Sequence, residues 1–275
     1  MNDDIKTMKL YHQVGRVFNE LSNLGIADDA DIDVTTLCQF DQYHYHGTEA
    51  VAEAISKLQL NDQMRVLEVG AGIGGPARFL SHTCGCHMTA MELQADLNET
   101  AEALTRRCGL ADKVDHVCGD ILDGVPGEGQ FDALVSWLTF LHISDRKALY
   151  KVCMDSLKPG AGMFFEDYFE RGDFSDAERE SLSREIYCDH LPTMQNYQTE
   201  LAEAGFERIE LIDMTASWTE FVHVRLKAFE AAYERNVSLH GEATTKGLQE
   251  FYSAVDKLFS SGNLGGICAI GYKPD

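Results

Sequence analysis

RVLEVGAGIGGPARFL, residues 65–80, runs from an apolar segment through a cluster of glycines into a helix-like segment. Val66–Val69 reads as a strand, and Pro76–His82 as a helix that opens on proline, a residue the first helical turn accepts. A strand, a glycine loop and a helix in that order form a βα unit whose loop can face a ligand. Gly70, Gly72 and Gly75 satisfy the spacing G-x-G-x-x-G of a dinucleotide loop. Glu68 argues against that ligand, because a carboxylate at the strand end repels a pyrophosphate resting on the helix N-terminus.

Outward from this unit the alternation continues. Met88–Met91, Val114–Cys118, Ala133–Trp137 and Met163–Glu166 read as strands. Ala95–Cys108 and Asp145–Leu157 read as helices, and KPGAG (158–162) as a turn. The rhythm predicts an α/β, Rossmann-like fold, a mostly parallel sheet with helices on both faces. Upstream, residues 5–60 read as helical, with Val14, Val17, Phe18, Leu21 and Leu24 in helical period and a Thr cap opening TEAVAEAISKLQL (48–60). Downstream, residues 172–190 are acidic and helix-prone, Met194–Ala204 is a helix and GFERIELIDM (205–214) a strand. Residues 216–260 read as two long helices separated by HGEATT (240–245), and GGICAIGYK (265–273) as a last strand added antiparallel at the sheet edge. The expectation is one domain over 1–275. It comprises an N-terminal helical cap (1–60), a ligand-binding core (61–170), and a helical insert with C-terminal antiparallel strands (171–275).

Two more acids sit at strand ends. Glu92 closes HMTAMEL (87–93), where a carboxylate accepts hydrogen bonds from both hydroxyls of a ribose. Asp120, in VCGDIL (117–122), follows the third strand, where it can accept from an adenine amine, with Ile121 packing on the ring. Together with Glu68 they suit a ligand carrying an ammonium, a sulfonium, a ribose and an adenine but no phosphate. S-adenosylmethionine is such a ligand, with S-adenosylhomocysteine as the product form.

Composition narrows the partners. A formal charge of −22 makes nucleic acid or an anionic membrane surface a poor partner. No apolar run approaches the roughly 20 residues of a membrane helix, and the polar, partly acidic opening MNDDIKTMKL does not read as a leader. The eight cysteines are scattered. Cys84 and Cys86 are near neighbours, but Cys-Gly-Cys is neither a zinc nor a usual redox spacing. The expectation is a reduced, soluble, cytoplasmic protein. His44 and His46 lack an evident third ligand, so no metal is expected.

From about Asp41 to its end the chain resembles the class I S-adenosylmethionine-dependent methyltransferases. Within them it resembles the small-molecule branch of sarcosine/dimethylglycine and phosphoethanolamine N-methyltransferases. The resemblance is carried by DQYHYHG (41–47), LEVGAGIGGPARFL (67–80), MEL (91–93), CGDIL (118–122), WLTFLHISDRKALYKVCMDSLKPG (137–160) and FEDY (165–168). It implies a seven-stranded sheet and a pair in which His142 and a tyrosine, Tyr43 or Tyr45, close over the cofactor and touch the acceptor nitrogen. It also implies Gln42 and Tyr43 near the methionine carboxylate. The candidate cofactor residues are then Gln42, Tyr43, Glu68, Gly70, Ala71, Gly72, Gly74, Glu92, Leu93, Asp120, Ile121 and Ser136. Trp137, His142, Tyr168 and Arg171 are the candidate acceptor pocket. Trp218 and Phe221, at helical spacing, read as core.

Two acceptors fit a small carboxylate-bearing substrate. One is sarcosine or dimethylglycine, N-methylated toward betaine. The other is a thioether acid such as methylthiohydroxybutyrate, leading toward dimethylsulfoniopropionate, both being osmolyte chemistry. Arg171 or Arg225 would meet the carboxylate. SWLTF (136–140) is more apolar than the corresponding run of glycine-methylating enzymes, which keeps the thioether in play. A non-catalytic cofactor-binding or regulatory protein and a nicotinamide oxidoreductase are the rivals of another class. A homodimer is a further expectation.

Overall fold

The computed structural model describes residues 13–127 and 129–275. The elements in chain order are α1 (Arg16–Asn23), α2 (Val34–Leu37), α3 (Thr48–Leu58), β1 (Arg65–Val69), α4 (Gly75–Cys84), β2 (His87–Glu92), α5 (Ala95–Arg107) and β3 (Val114–Cys118). They continue with β4 (Phe131–Trp137), α6 (Arg146–Ser156), β5 (Leu157–Glu170), α7 (Asp176–Ser181), α8 (Met194–Glu203) and β6 (Glu207–Asp213). The last are α9 (Thr215–Ala231), α10 (Tyr233–His240), α11 (Glu242–Ser260) and β7 (Leu264–Tyr272).

The strands form one seven-stranded sheet in the order β3-β2-β1-β4-β5-β7-β6. The pairs from β3 to β5 are parallel, and β7 runs antiparallel to both β5 and β6. Chain order reverses between β1 and β4. In open α/β sheets the crevice beyond the strand ends at such a point takes the ligand.

The central strands are buried on both faces, as a parallel sheet requires, so Val66, Leu67 and Val69 are all buried. Val66, Ala77, Leu80 and Ala133 pack together with α3 residues on one face, and Leu67, Phe131, Phe165 and Tyr197 on the other. Helix ends follow local chemistry. Gly74 and Gly85 bracket α4 in left-handed backbone, and Pro76 lies in its first turn. Asp145 accepts from the Ala148 N–H at 2.9 Å to start α6. Ser175 and Glu178 form a capping box on α7. No helix among the described residues is long and apolar enough to cross a membrane.

Three readings need correction. The helical stretch expected over 5–60 is broken: residues 5–12 lie outside the described chain, and 38–47 form an irregular strap. That strap ends on His46 and Gly47, both at positive φ, which a continuing helix cannot accommodate. KPGAG is part of β5, where the register to β4 shifts between Phe131 and Ala133 and Gly160 takes φ +74. Residues 216–260 form three helices, because the chain also breaks at Ala232, ahead of the break at Gly241.

Candidate active site

The crevice at the reversal point holds two abutting lobes. They share Gly70, Gly72, Leu138 and His142. Their cavity volumes are about 70 Å³ and 60 Å³.

The first lobe lies over the ends of β1 and β2. Glu92 lines it, and its carboxylate accepts from the Gly72 N–H (Oε2, 2.9 Å) and the Gln94 N–H (Oε1, 2.9 Å). The acid therefore sets the glycine loop as well as facing the lobe. Burial pushes its pKa upward. Leu93, Ile121 and Gly119 complete the wall. Asp120 is not among the residues that line the lobe, although Gly119 and Ile121 beside it are; its Oδ1 caps the short 3-10 turn that follows by accepting from the Leu122 N–H at 2.9 Å.

Each glycine of the loop meets a distinct demand. A Cβ on Gly70 would lie 2.0 Å from Thr139 Oγ1, whereas one on Gly72 would meet open space at φ +55. The backbone at Gly72 is thus bare toward the cleft. Gly75 has another task, because its Cβ would come within 2.3 Å of the Asp41 carbonyl oxygen. That close approach seats the 38–47 strap on the start of α4. Gly74 packs against Arg78, His116 and Ala101 rather than facing the cleft.

The strap is clamped by a buried ion pair, Arg78 to Asp41 at 2.9 Å. Arg78 also donates to the carbonyls of Ile73 (2.6 Å) and Ala101 (3.2 Å) and to Thr105 Oγ1 (3.2 Å). Held this way, the strap delivers Asp41, Tyr43 and His44 to the second lobe. The Arg16 guanidinium lies over the Tyr43 ring, 5.4 Å from its centroid. His44 is within hydrogen-bonding distance of the Tyr45 carbonyl (3.1 Å) and Gln42 Oε1 (2.9 Å), and stacks on Trp137 with centroids 5.5 Å apart.

Glu68 and Ala71 also line the second lobe. Glu68 is 1 % exposed, its Oε2 has no protein hydrogen-bond partner, and burial pushes its pKa up to about 8. Across the same lobe the indole N–H of Trp137 is likewise buried without a partner. Native interiors rarely leave such groups unpaired. A lone carboxylate oxygen and a lone donor on two residues that line one lobe fit the cationic amine and the acceptor oxygens of an amino acid moiety. With Glu92 and the bare Gly72 backbone in the adjoining lobe, the donor set suits S-adenosylmethionine.

His142 borders both lobes at the end of a 3-10 turn that follows β4. Its Nδ1–H donates to the Tyr187 carbonyl at 3.2 Å, which leaves the Nε2 lone pair unprotonated. Its buried surroundings lower its pKa to about 4, so the ring is neutral near pH 7. The carbonyl it meets follows a π-turn (Leu182–Ile186), and Tyr187 itself is at φ +58. Leu138, at φ +52, stands between the lobes. A bulky residue in left-handed backbone persists only where its surroundings enforce it, commonly at functional sites.

Several candidates lie elsewhere. Gln42 turns its amide to Asp41 (2.8 Å) and His44 instead of the cleft. Ser136 donates to the Val69 carbonyl at 2.8 Å, tying β4 to β1. Tyr168 lines the second lobe, and its hydroxyl bonds that of Tyr45, which lies behind it among Trp218, Phe221 and Phe259. Trp218 is core. Arg225 stacks on Tyr45 and Tyr252, and Arg171 donates to the Gly262 carbonyl at 3.4 Å; neither lines the lobes. No hydrogen bond among the described residues joins His142 to Tyr43 or Tyr45. Of these two tyrosines, Tyr43 shares the lobe with His142. No cluster among the described residues is suited to a metal ion.

Comparison with known proteins agrees with this geometry. A family described as a methyltransferase domain matches residues 66–160. The glycine/sarcosine/dimethylglycine N-methyltransferase of Actinopolyspora halophila is 29% identical over 165 residues, which is 60% of this chain and 29% of that protein. The sarcosine/dimethylglycine N-methyltransferase of Halorhodospira halochloris is 26% identical over 208 residues, 75% of this chain and 73% of the relative. The chain thus spans under a third of the first relative and about three quarters of the second. In fold, it superposes on a Haemonchus contortus phosphoethanolamine N-methyltransferase 2, solved with phosphomonomethylethanolamine and S-adenosylhomocysteine. The TM-score is 0.80 at 19% identity, over 93% of this chain and 59% of that one.

Proposed function

We propose, from the premise that this chain is a class I S-adenosylmethionine-dependent methyltransferase of the small-molecule branch, that it methylates the nitrogen of a small amine. The finer reading is an acceptor of the sarcosine/dimethylglycine kind. The observation that carries it is the pair of lobes meeting at His142, one bounded by Glu92 and the other by Glu68, whose Oε2 has no hydrogen-bond partner.

When bound, S-adenosylmethionine supplies an electrophilic methyl on a sulfonium sulfur. Glu92 and the Gly70–Gly72 backbone would hold its ribose side, and Glu68 its ammonium. Leu138 lines both lobes and Leu141 and Ile186 line the second, apolar groups that would help keep water from an acceptor aligned with the methyl. For a secondary amine, the Nε2 lone pair of His142 accepts the proton that leaves nitrogen. For a tertiary amine no proton leaves, and His142 serves by position alone. The Tyr43, Trp137 and Tyr168 rings favour the cationic product by ~0.5–2 kcal/mol each where they face it.

The lobes present no lysine or arginine among the described residues, so an acceptor carboxylate would rely on neutral donors such as the Trp137 N–H. The apolar rim of Leu138, Leu141 and Ile186 favours a second reading, S-methylation of a thioether acid. The test is a panel of amino and thioether acids assayed for S-adenosylhomocysteine release. Turnover on sarcosine or dimethylglycine supports the amine reading. Turnover confined to thioethers replaces it.

A further inference from the structure

The Cys-Gly-Cys run at residues 84–86 lies at the opposite pole of the molecule from the cleft. Cys84 is the last residue of α4, the helix that begins at the glycine loop, and Cys86 immediately precedes β2, the strand that ends at Glu92. Between them Gly85 takes φ +77, a left-handed cap that turns the chain sharply. The turn brings the two sulfurs to 3.4 Å, in van der Waals contact. Cys84 is half-buried and Cys86 fully buried. The Cys84 thiol also lies 3.0 Å from the Leu80 carbonyl, and the Cys86 thiol 3.5 Å from Met88 Sδ.

We propose that Cys84 and Cys86 form a reversible dithiol/disulfide pair, with Cys84 the attacking thiol and Cys86 the resolving one. Spacing along the chain does not advertise this chemistry; the contact made by the Gly85 turn does. The oxidant is a low-molecular-weight disulfide such as oxidised glutathione. The Cys84 thiolate attacks one of its sulfurs, forming a mixed disulfide and releasing one glutathione thiolate. The Cys86 thiol then loses its proton and displaces the second glutathione, closing the Cys84–Cys86 bond. Two protein thiols are oxidised and one glutathione disulfide is reduced to two thiols. Accessibility assigns the roles, since a bulky oxidant reaches half-buried Cys84 and not buried Cys86. The Cys86 S–H beside it stabilises the Cys84 thiolate and lowers the Cys84 pKa, as suits an attacking thiol.

The full-length protein makes the test direct, because cleavage after Arg78 and Arg106 yields one peptide, 79–106, that holds Cys84 and Cys86 and no other cysteine. The native protein is treated with oxidised glutathione, alkylated, digested and weighed. The expected result is peptide 79–106 lighter by two hydrogen atoms and resistant to alkylation until reduced. In Cys86→Ser the same peptide should carry one glutathione on Cys84. In Cys84→Ser it should carry none, since Cys86 is out of reach. The proposal is overturned if peptide 79–106 of the wild type remains alkylatable while exposed Cys118 is already modified. It is equally overturned if Cys84→Ser takes up glutathione at Cys86 as readily as Cys86→Ser does at Cys84. The wild-type map decides the matter even if a variant fails to fold.

Discussion

Glu92 does two things with one carboxylate, and that governs what its removal costs. It holds the Gly72 and Gln94 amides and faces the first lobe. Glu92→Ala should weaken S-adenosylmethionine binding by about 1.5–3 kcal/mol, the worth of hydrogen bonds to a charged group, read as the dissociation constant by calorimetry. An unchanged constant would remove Glu92 from the ligand's set. His142 separates chemistry from binding. On a secondary amine, His142→Ala should lower kcat about 10²–10⁴-fold with little change in cofactor affinity. Because its pKa is near 4, the wild-type rate should show no histidine inflection near pH 6.5. A limb at pH 6–7 that vanishes in His142→Ala on a thioether acceptor would contradict the neutral-ring reading. The acids at the ends of β1 and β2 are legible in the sequence because their place follows from the strand and loop beside them. Asp120 reads equally well by that logic, yet its Oδ1 caps its own turn and it is not among the residues that line the lobe. Leu138 and Tyr187 give no local signal, since their positive φ is imposed by packing from elsewhere.

At the scale of elements, the βα alternation is legible because it depends on near neighbours in sequence, but the Thr cap expected at residue 48 is not a cap, since Gly47 is the N-cap of α3 and no side chain caps it. The strap over 38–47 is not legible in this way. Its place depends on Asp41 meeting Arg78, 37 residues further along, and on Gly75 leaving room for the Asp41 carbonyl. The break at Ala232 also lacks strong turn chemistry, whereas KPGAG carries turn residues and yet continues β5. The strap's dependence on one buried pair is testable. Asp41→Ala leaves the Arg78 guanidinium buried without its counter-ion, and should cost about 3–5 kcal/mol in urea unfolding. Asp41→Asn, which keeps a hydrogen-bond acceptor, should cost less. Equal losses from both would mean that charge pairing contributes little.

Across the whole molecule, buried titratable groups set how stability responds to pH. Glu68 and Glu166 are pushed up to about 8 and Asp167 to about 7, chiefly by burial. Between their unfolded values near 4 and these folded values, the folded state holds more protons than the unfolded one, so stability falls as pH rises. His44, His116 and His142, lowered to about 4, act in the opposite sense, but only between 4 and 6.5. Above 6.5 the carboxyl groups are opposed by the Cys84 thiol, which they outnumber. The ligand-free protein should therefore lose stability from about pH 6.5 to 8, measured by thermal melts in a buffer series. Glu68→Gln should flatten that decline. The same buried carboxyl group faces the lobe where S-adenosylmethionine's ammonium is proposed to lie. Titration of S-adenosylmethionine into the protein at pH 7, repeated in buffers of different ionisation enthalpy, tests this account most directly. Binding to the wild type should be accompanied by proton release to the buffer, and Glu68→Gln should bind more weakly and without that release. No heat with S-adenosylmethionine, together with saturable binding of a nicotinamide dinucleotide, would contradict it.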